Sequence, residues 1–172
     1  MSERKVVHAQ LVKLTASDKR LLRNRNDRSL TEKECGEYFF FRDDVHGDII
    51  FDVCAFRVAI ITDKVFYTVV DMPVDQDFRD FAASSGQAEL EYADSLPLSA
   101  LKIPVLAVTW DDGSSTIIDG NNRIVKAFNV KRPSIKMVQV RWPFWKFFSK
   151  WKRDGDWTPE LSEKFKSIVG LQ

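Results

Sequence analysis

The 172-residue chain is poor in the residues that build metal and thiol sites. It has two cysteines, Cys35 and Cys54, and two histidines, His8 and His46. The cysteines form no Cys-x-x-Cys pair and the histidines are far apart, so the clustered set of about four N or S ligands that a zinc site needs is missing. No metal site is expected, and the cysteines read as reduced, partly buried thiols of a cytoplasmic protein. No run of about 18 apolar residues is present, which excludes a membrane-spanning helix. The start, Met1-Ser-Glu-Arg-Lys-Val-Val-His-Ala-Gln, has no apolar core of a secretory signal. Seven glycines and six prolines are modest numbers, and no repeat or low-complexity tract is visible. The remaining composition, 44% apolar and 30% charged with a formal net charge of +1, is that of an ordinary globular protein. The length fits one domain with appendages.

Aromatic residues are abundant, with thirteen Phe and five Trp. Residues 4–14 alternate partly and predict a strand, and Ser17 can cap a short helix through Asp18–Arg23. Thr31 and Glu34 have capping-box spacing and predict a helical turn over 32–37. Tyr38–Arg42, Asp48–Val53, Ala55–Ile61 and Val65–Val70 are rich in aromatic and β-branched residues and predict an antiparallel meander. Asp75 can cap a helix over 76–83, where Phe78, Phe81 and Ala82 share a face. A polar stretch, Gln87–Ser95, follows. Ile103–Trp110 reads as a strand, Asp111-Asp-Gly-Ser114 as a hairpin turn and Ser115–Ile118 as the return strand. Ile124–Phe128 then starts a helix, Asn129–Pro133 turns the chain, and Ser134–Val140 is another strand. Thr158 with Pro159 predicts a last, C-terminal helix.

The chemistry-bearing motif is Asp119-Gly120-Asn121-Asn122-Arg123, between a strand and a helix. A helix N-terminus offers unpaired N–H groups and partial positive charge. Gly120 permits a sharp turn and close approach, and Arg123 carries a forked cation suited to phosphate. Such a turn can bind a phosphate-type anion. Asp119 can hold the turn, orient Arg123, or hold a metal bridged to phosphate. The same residues can equally form a capped strand–helix turn with no ligand. Asp71, Asp75, Asp94, Asp111 and Asp112 are candidate bases by residue type alone, and Asp111 and Asp112 suit the hairpin.

The segment DGSSTIIDGNNRIVKAF resembles the signature of the ParB/sulfiredoxin-like superfamily, a hairpin, an Asp-Gly-x-His-Arg-type turn and a helix. LPLSALKIPVLAV before it and RPSIKMVQV after it stand where flanking strands of that fold would be, so the resemblance covers residues 65–140. It implies an α+β fold with a mixed sheet and short helices, with residues 1–64 as a β-rich N-terminal extension and 141–172 as a basic-aromatic segment and C-terminal helix. It further implies nucleotide binding at the turn, ATP or a relative with Mg²⁺, with Asp119 in the catalytic role. Gly120, Asn121, Asn122 and Arg123 would then bind phosphate. The sequence departs from the pattern at two positions. Asn121 stands where sulfiredoxin has its reactive cysteine, which excludes that redox chemistry. Asn122 stands where the family has His, which removes a proton donor near neutral pH. The partition proteins' second acidic residue is also absent, so their CTP-clamp mechanism is not implied.

The small net charge conceals a segregation. Residues 43–119 hold four Lys/Arg and fifteen Asp/Glu, whereas residues 120–153 hold ten Lys/Arg and no acid. The latter segment interleaves Arg141, Lys146, Lys150, Lys152 and Arg153 with Trp142, Phe144, Trp145, Phe147, Phe148 and Trp151. Cations neutralise phosphates and aromatic faces stack on unpaired bases. This stretch can therefore bind nucleic acid, dock on an acidic protein, or pack inside the chain. Two functions follow as expectations. One is a nucleotide-dependent hydrolase or phosphotransferase. The other is a non-catalytic accessory protein of phage or plasmid type that binds nucleic acid or protein.

Overall fold

The computed structural model describes residues 13–23, 38–43, 47–84, 88–141, 144–145, 149–153 and 156–158. Helix α1 (Ala16–Arg23) is followed by strands β1 (Tyr38–Asp43) and β2 (Gly47–Asp52), helix α2 (Val53–Ile61) and strand β3 (Tyr67–Pro73). Helices α3 (Gln76–Ser84) and α4 (Leu90–Ser95) and a 3₁₀ turn (Leu98–Lys102) lead to β4 (Val105–Thr109) and β5 (Ser115–Asp119). Helix α5 (Asn121–Asn129) and strands β6 (Ser134–Arg141), β7 (Ser149–Arg153) and β8 (Asp156–Thr158) complete the described elements. The protein is α+β, with five short helices among the described residues and two four-stranded sheets.

The first sheet has the order β1-β2-β7-β8 and is antiparallel throughout. The second has the order β3-β6-β4-β5 and is mixed, because β4 runs parallel to β6 while the other two pairs are antiparallel. The expected meander is thus corrected. β1 and β2 form a hairpin, but the other neighbour of β2 is β7, and β3 joins the second sheet. Hairpins close locally, whereas β2–β7 and β3–β6 are long-range pairings that local patterning does not specify.

The second sheet is covered on both faces, which explains why β4 is a continuous apolar run. Leu106 and Val108, with Val138 and Val140 of β6, face a core shared with α2 and the first sheet. Val105 and Ala107, with Ile135 and Met137, face a second core beneath α3, α4 and α5. Trp145 is fully buried in the first core. Its ring lies 4.7 Å from that of Trp110 and 5.4 Å from that of Phe51, and its Nε1–H donates to the Thr109 carbonyl at 2.9 Å.

Residues Val53–Ile61 form a helix, not the expected strand. The Asp52 carboxylate accepts from the Ala55 N–H at 2.9 Å and fixes the helix start. Burial on nearly every side then outweighs the β-preference of Val58, Ile60 and Ile61, since an apolar run carries no period to tell helix from strand. At α1 the cap is Thr15, not Ser17. Its hydroxyl accepts from the Asp18 N–H, and Asp18 accepts from the Thr15 N–H, a reciprocal capping box. Leu90–Ser95, within the polar stretch 87–95, form α4, and α5 starts at Asn121, three residues before Ile124. Asp75 caps α3 as expected, accepting from the Phe78 N–H, and Gly113 (φ 84°) turns the β4–β5 hairpin. The expected strand over 4–14 falls almost wholly outside the described residues, and the turn over 32–37 and the helix after Thr158 lie outside them. Thr158 itself ends β8.

Candidate functional site at the start of helix α5

Strand β5 delivers Asp119 to its end, and Gly120 turns the chain into α5 with φ 111° and ψ 12°, a left-handed conformation that glycine adopts without steric cost. The turn is also tight. A Cβ at Gly120 would lie 2.9 Å from Cγ2 of Val105 and 3.0 Å from Nη2 of Arg123. Glycine is required here both by the backbone and by its neighbours.

Asp119 lies between two arginines. Its Oδ1 is 2.8 Å from Nη2 of Arg123, one turn on in α5, and its Oδ2 is 3.3 Å from Nη2 of Arg57 in α2. Side-chain exposure is 3% for Asp119, 5% for Arg123 and 2% for Arg57. Nη1 of Arg123 also donates to the carbonyls of Ile103 and Pro104, both at 2.9 Å. Helices α2 and α5 lie on opposite faces of the second sheet. The carboxylate therefore ties both layers to the sheet end through charges removed from water, where each depends on its partner. Arg57 carries one sequence signal, a single cation inside the apolar run 53–61.

The remaining turn residues differ. Asn122 is partly exposed, and its Oδ1 accepts from the Glu89 N–H at 2.8 Å, so it ties α5 to the start of α4. Asn121 is buried at 5% exposure, and its Oδ1 has no hydrogen-bond partner among the described residues. No side chain caps α5, and the backbone N–H groups of Asn121 and Asn122 make no hydrogen bond among the described residues. The turn thus divides into an ionic cluster of Asp119, Arg123 and Arg57 and a helix-end rim of N–H groups with the buried Asn121 carboxamide beneath it.

Asp119 does not fit the role of a Mg²⁺ ligand, because each carboxylate oxygen already faces a guanidinium. No group of three or more His, Cys, Asp or Glu with metal-binding geometry occurs among the described residues. The other candidate carboxylates have local tasks. Asp75 caps α3, Asp112 accepts from the Ser114 N–H in the hairpin, and Asp94 accepts from Nδ2 of Asn129. Asp71 stands in β3 opposite Lys136, and Asp111 is exposed in the hairpin turn.

The basic-aromatic stretch is split. Trp145 belongs to the core and Arg141 is exposed at the end of β6. Lys150, Trp151, Lys152 and Arg153 stand in β7. Trp142 and Lys146 lie outside the described residues. Cys54, at the start of α2, is disulfide-bonded, which corrects the expectation of two reduced thiols. Cys35 lies outside the described residues. No described helix is long and apolar enough to cross a membrane.

Compared with protein-family models, with curated proteins and with solved structures, the chain matches none.

Proposed function

We propose that the chain binds a nucleotide through the rim of the β5–α5 turn, as a recognition module that does not use Asp119 for phosphoryl transfer. The observation that carries this reading is the Asn121 side chain, buried at the start of α5 with an Oδ1 that no described residue satisfies. A buried amide oxygen without a partner costs on the order of 1–3 kcal/mol, and a ligand donor offsets that cost. Beside it, the N–H groups of Asn121 and Asn122 supply the donors that a phosphate oxygen takes at a helix N-terminus. The carboxamide accepts from a ribose hydroxyl or a base amine. Gly120 makes the tight left-handed turn into α5, and Asp119, Arg123 and Arg57 hold that turn in place. The resemblance of residues 65–140 to the ParB/sulfiredoxin-like superfamily points to the same turn. The Asn at 122 and the engagement of Asp119 by two guanidiniums both favour binding over turnover.

Titration calorimetry with ATP, CTP and GTP, each with Mg²⁺, tests this reading. Binding by wild type that Asn121→Ala weakens about tenfold, with an unchanged melting temperature, supports it. No heat from wild type with any of the three at millimolar concentration would rule it out.

A further inference from the structure

We propose a second binding surface, unconnected with the β5–α5 turn, in which the outer face of the first sheet binds single-stranded nucleic acid. β1 forms an edge of that sheet, and its side chains alternate. Phe39 is buried in the core and Phe41 packs against it, whereas Tyr38 and Phe40 point away and are 49% and 61% exposed. Two large aromatics exposed to this extent two residues apart on a strand are unusual, because a monomer seldom leaves such area in water without use.

The register extends this face. Phe40 stands opposite Ile50, and Ile50 opposite Lys150. In the next row Arg42 stands opposite Asp48, Asp48 opposite Lys152, and Lys152 opposite Trp157. Directly opposed residues belong to the same face of an antiparallel sheet. The aromatic pair on β1 and the two lysine positions on β7 therefore belong to one surface of the fold, although more than a hundred residues separate them in the chain.

By residue type, the charged positions of this face are Arg42, Lys150 and Lys152 against Asp48 and Asp52, a cationic balance that suits a polyanion. The two acids, both on β2, are engaged. Asp48 forms a two-pronged pair with Arg42, at 2.6 and 2.9 Å, and Asp52 caps α2. The segment 141–153, which supplies β7, has five Lys/Arg and no acid. Exposed aromatic rings on β1, with lysine positions two strands away in the same register rows, match what an unpaired strand offers, bases that stack on rings and phosphates that pair with cations. A duplex hides its bases from such a surface. An acidic protein would use the lysines and leave the rings without a matching group.

The test uses fluorescence anisotropy of a labelled 20-nucleotide oligo-dT with the full chain at several salt concentrations. The proposal expects binding to the single strand at least tenfold tighter than to a blunt duplex. Phe40→Ala and Tyr38→Ala should each weaken it by roughly fivefold to a hundredfold, the range for losing one stacked base. Phe40→Trp should retain affinity where Phe40→Leu does not, which separates stacking from apolar contact. Lys150→Gln/Lys152→Gln should lower the slope of log affinity against log salt by about 1.4, or about 0.7 for each phosphate contact on a single strand. Thermal melting of each variant checks that it remains folded. The proposal is overturned if wild type fails to bind at 50 mM salt, if folded Phe40→Ala binds like wild type, or if duplex binds equally well. It is also overturned if Phe40 is needed only for a concentration-dependent dimer seen by sedimentation, which would assign the face to a second copy of this chain.

Discussion

The β5–α5 turn and the outer face of the first sheet hold the two most conspicuous charge features of the chain, and they use charge in opposite ways. At the turn, Asp119, Arg123 and Arg57 are nearly excluded from solvent and engage one another and backbone carbonyls. Their geometry satisfies the fold first, and a ligand is left the helix-end N–H groups and Asn121. On the sheet, Phe40 and Tyr38 are largely exposed, and the lysine positions of β7 lie across β2 on the same face. A motif that reads as chemistry can therefore be a structural clamp, while a recognition surface can arise only after distant strands pair. Trp145 and Lys150 sharpen the point. They come from one basic-aromatic stretch, yet one is core and the other stands on a strand of the proposed binding face.

The comparison can be broken most forcefully at Trp145. Trp145→Ala should cost about 3–5 kcal/mol of stability, as expected for a large aromatic removed from a packed core, measured by urea unfolding. An unaltered unfolding midpoint with lost oligonucleotide affinity would place Trp145 on the wrong side of the division. Next in size is Gly120→Ala, expected to cost about 2 kcal/mol from the left-handed backbone and the contacts with Val105 and Arg123. Differential scanning calorimetry would detect that loss, and no change in melting temperature would show that the turn is looser than its contacts indicate.

A smaller effect is expected from acid. Burial would raise the Asp18 carboxyl, but hydrogen bonds from Lys136 and Thr15 outweigh it and hold its pKa below the ordinary value. The folded state therefore binds this proton less readily than the unfolded chain. The resulting stability is present above the unfolded pKa of about 3.9 and is lost as pH falls through the lower folded value. Asp18→Asn should reduce stability at neutral pH and flatten the acid limb of a melting-temperature profile, whereas a parallel shift at every pH would show that the carboxylate charge is not responsible. The smallest effect on stability belongs to Phe40→Ala, within about 0.5 kcal/mol because the ring is largely exposed. A larger loss would make Phe40 a packing residue and weaken the contrast on which the two regions are separated.

Much of the second sheet was legible from local signals. The Asp-Gly hairpin, the apolar run of β4 and the alternation of β6 each reflect a short-range cause. The motif Asp119–Arg123 was also legible as a turn opening a helix, and residue types alone placed Asp119 near Arg123. The pairing of Asp119 with Arg57 was not, because the two lie 62 residues apart and the segment of Arg57 looks like a strand until the Asp52 cap is weighed. The strand-like meander failed for a related reason. β2 finds β7 across about a hundred residues, and nothing in the composition of either strand names the other. The core position of Trp145 likewise depends on Phe51 of β2 and on Trp110, just past the end of β4.

The central claim, that the charges of the β5–α5 turn hold the fold while ligand recognition lies at its rim and on the sheet face, is tested most directly by Asp119→Asn. This substitution keeps shape and removes the negative charge from between two buried guanidiniums. Urea unfolding should show a loss of about 3–5 kcal/mol, the cost of leaving buried charges uncompensated. An unchanged unfolding midpoint, together with abolished nucleotide binding, would contradict the account and make Asp119 a ligand-contacting residue.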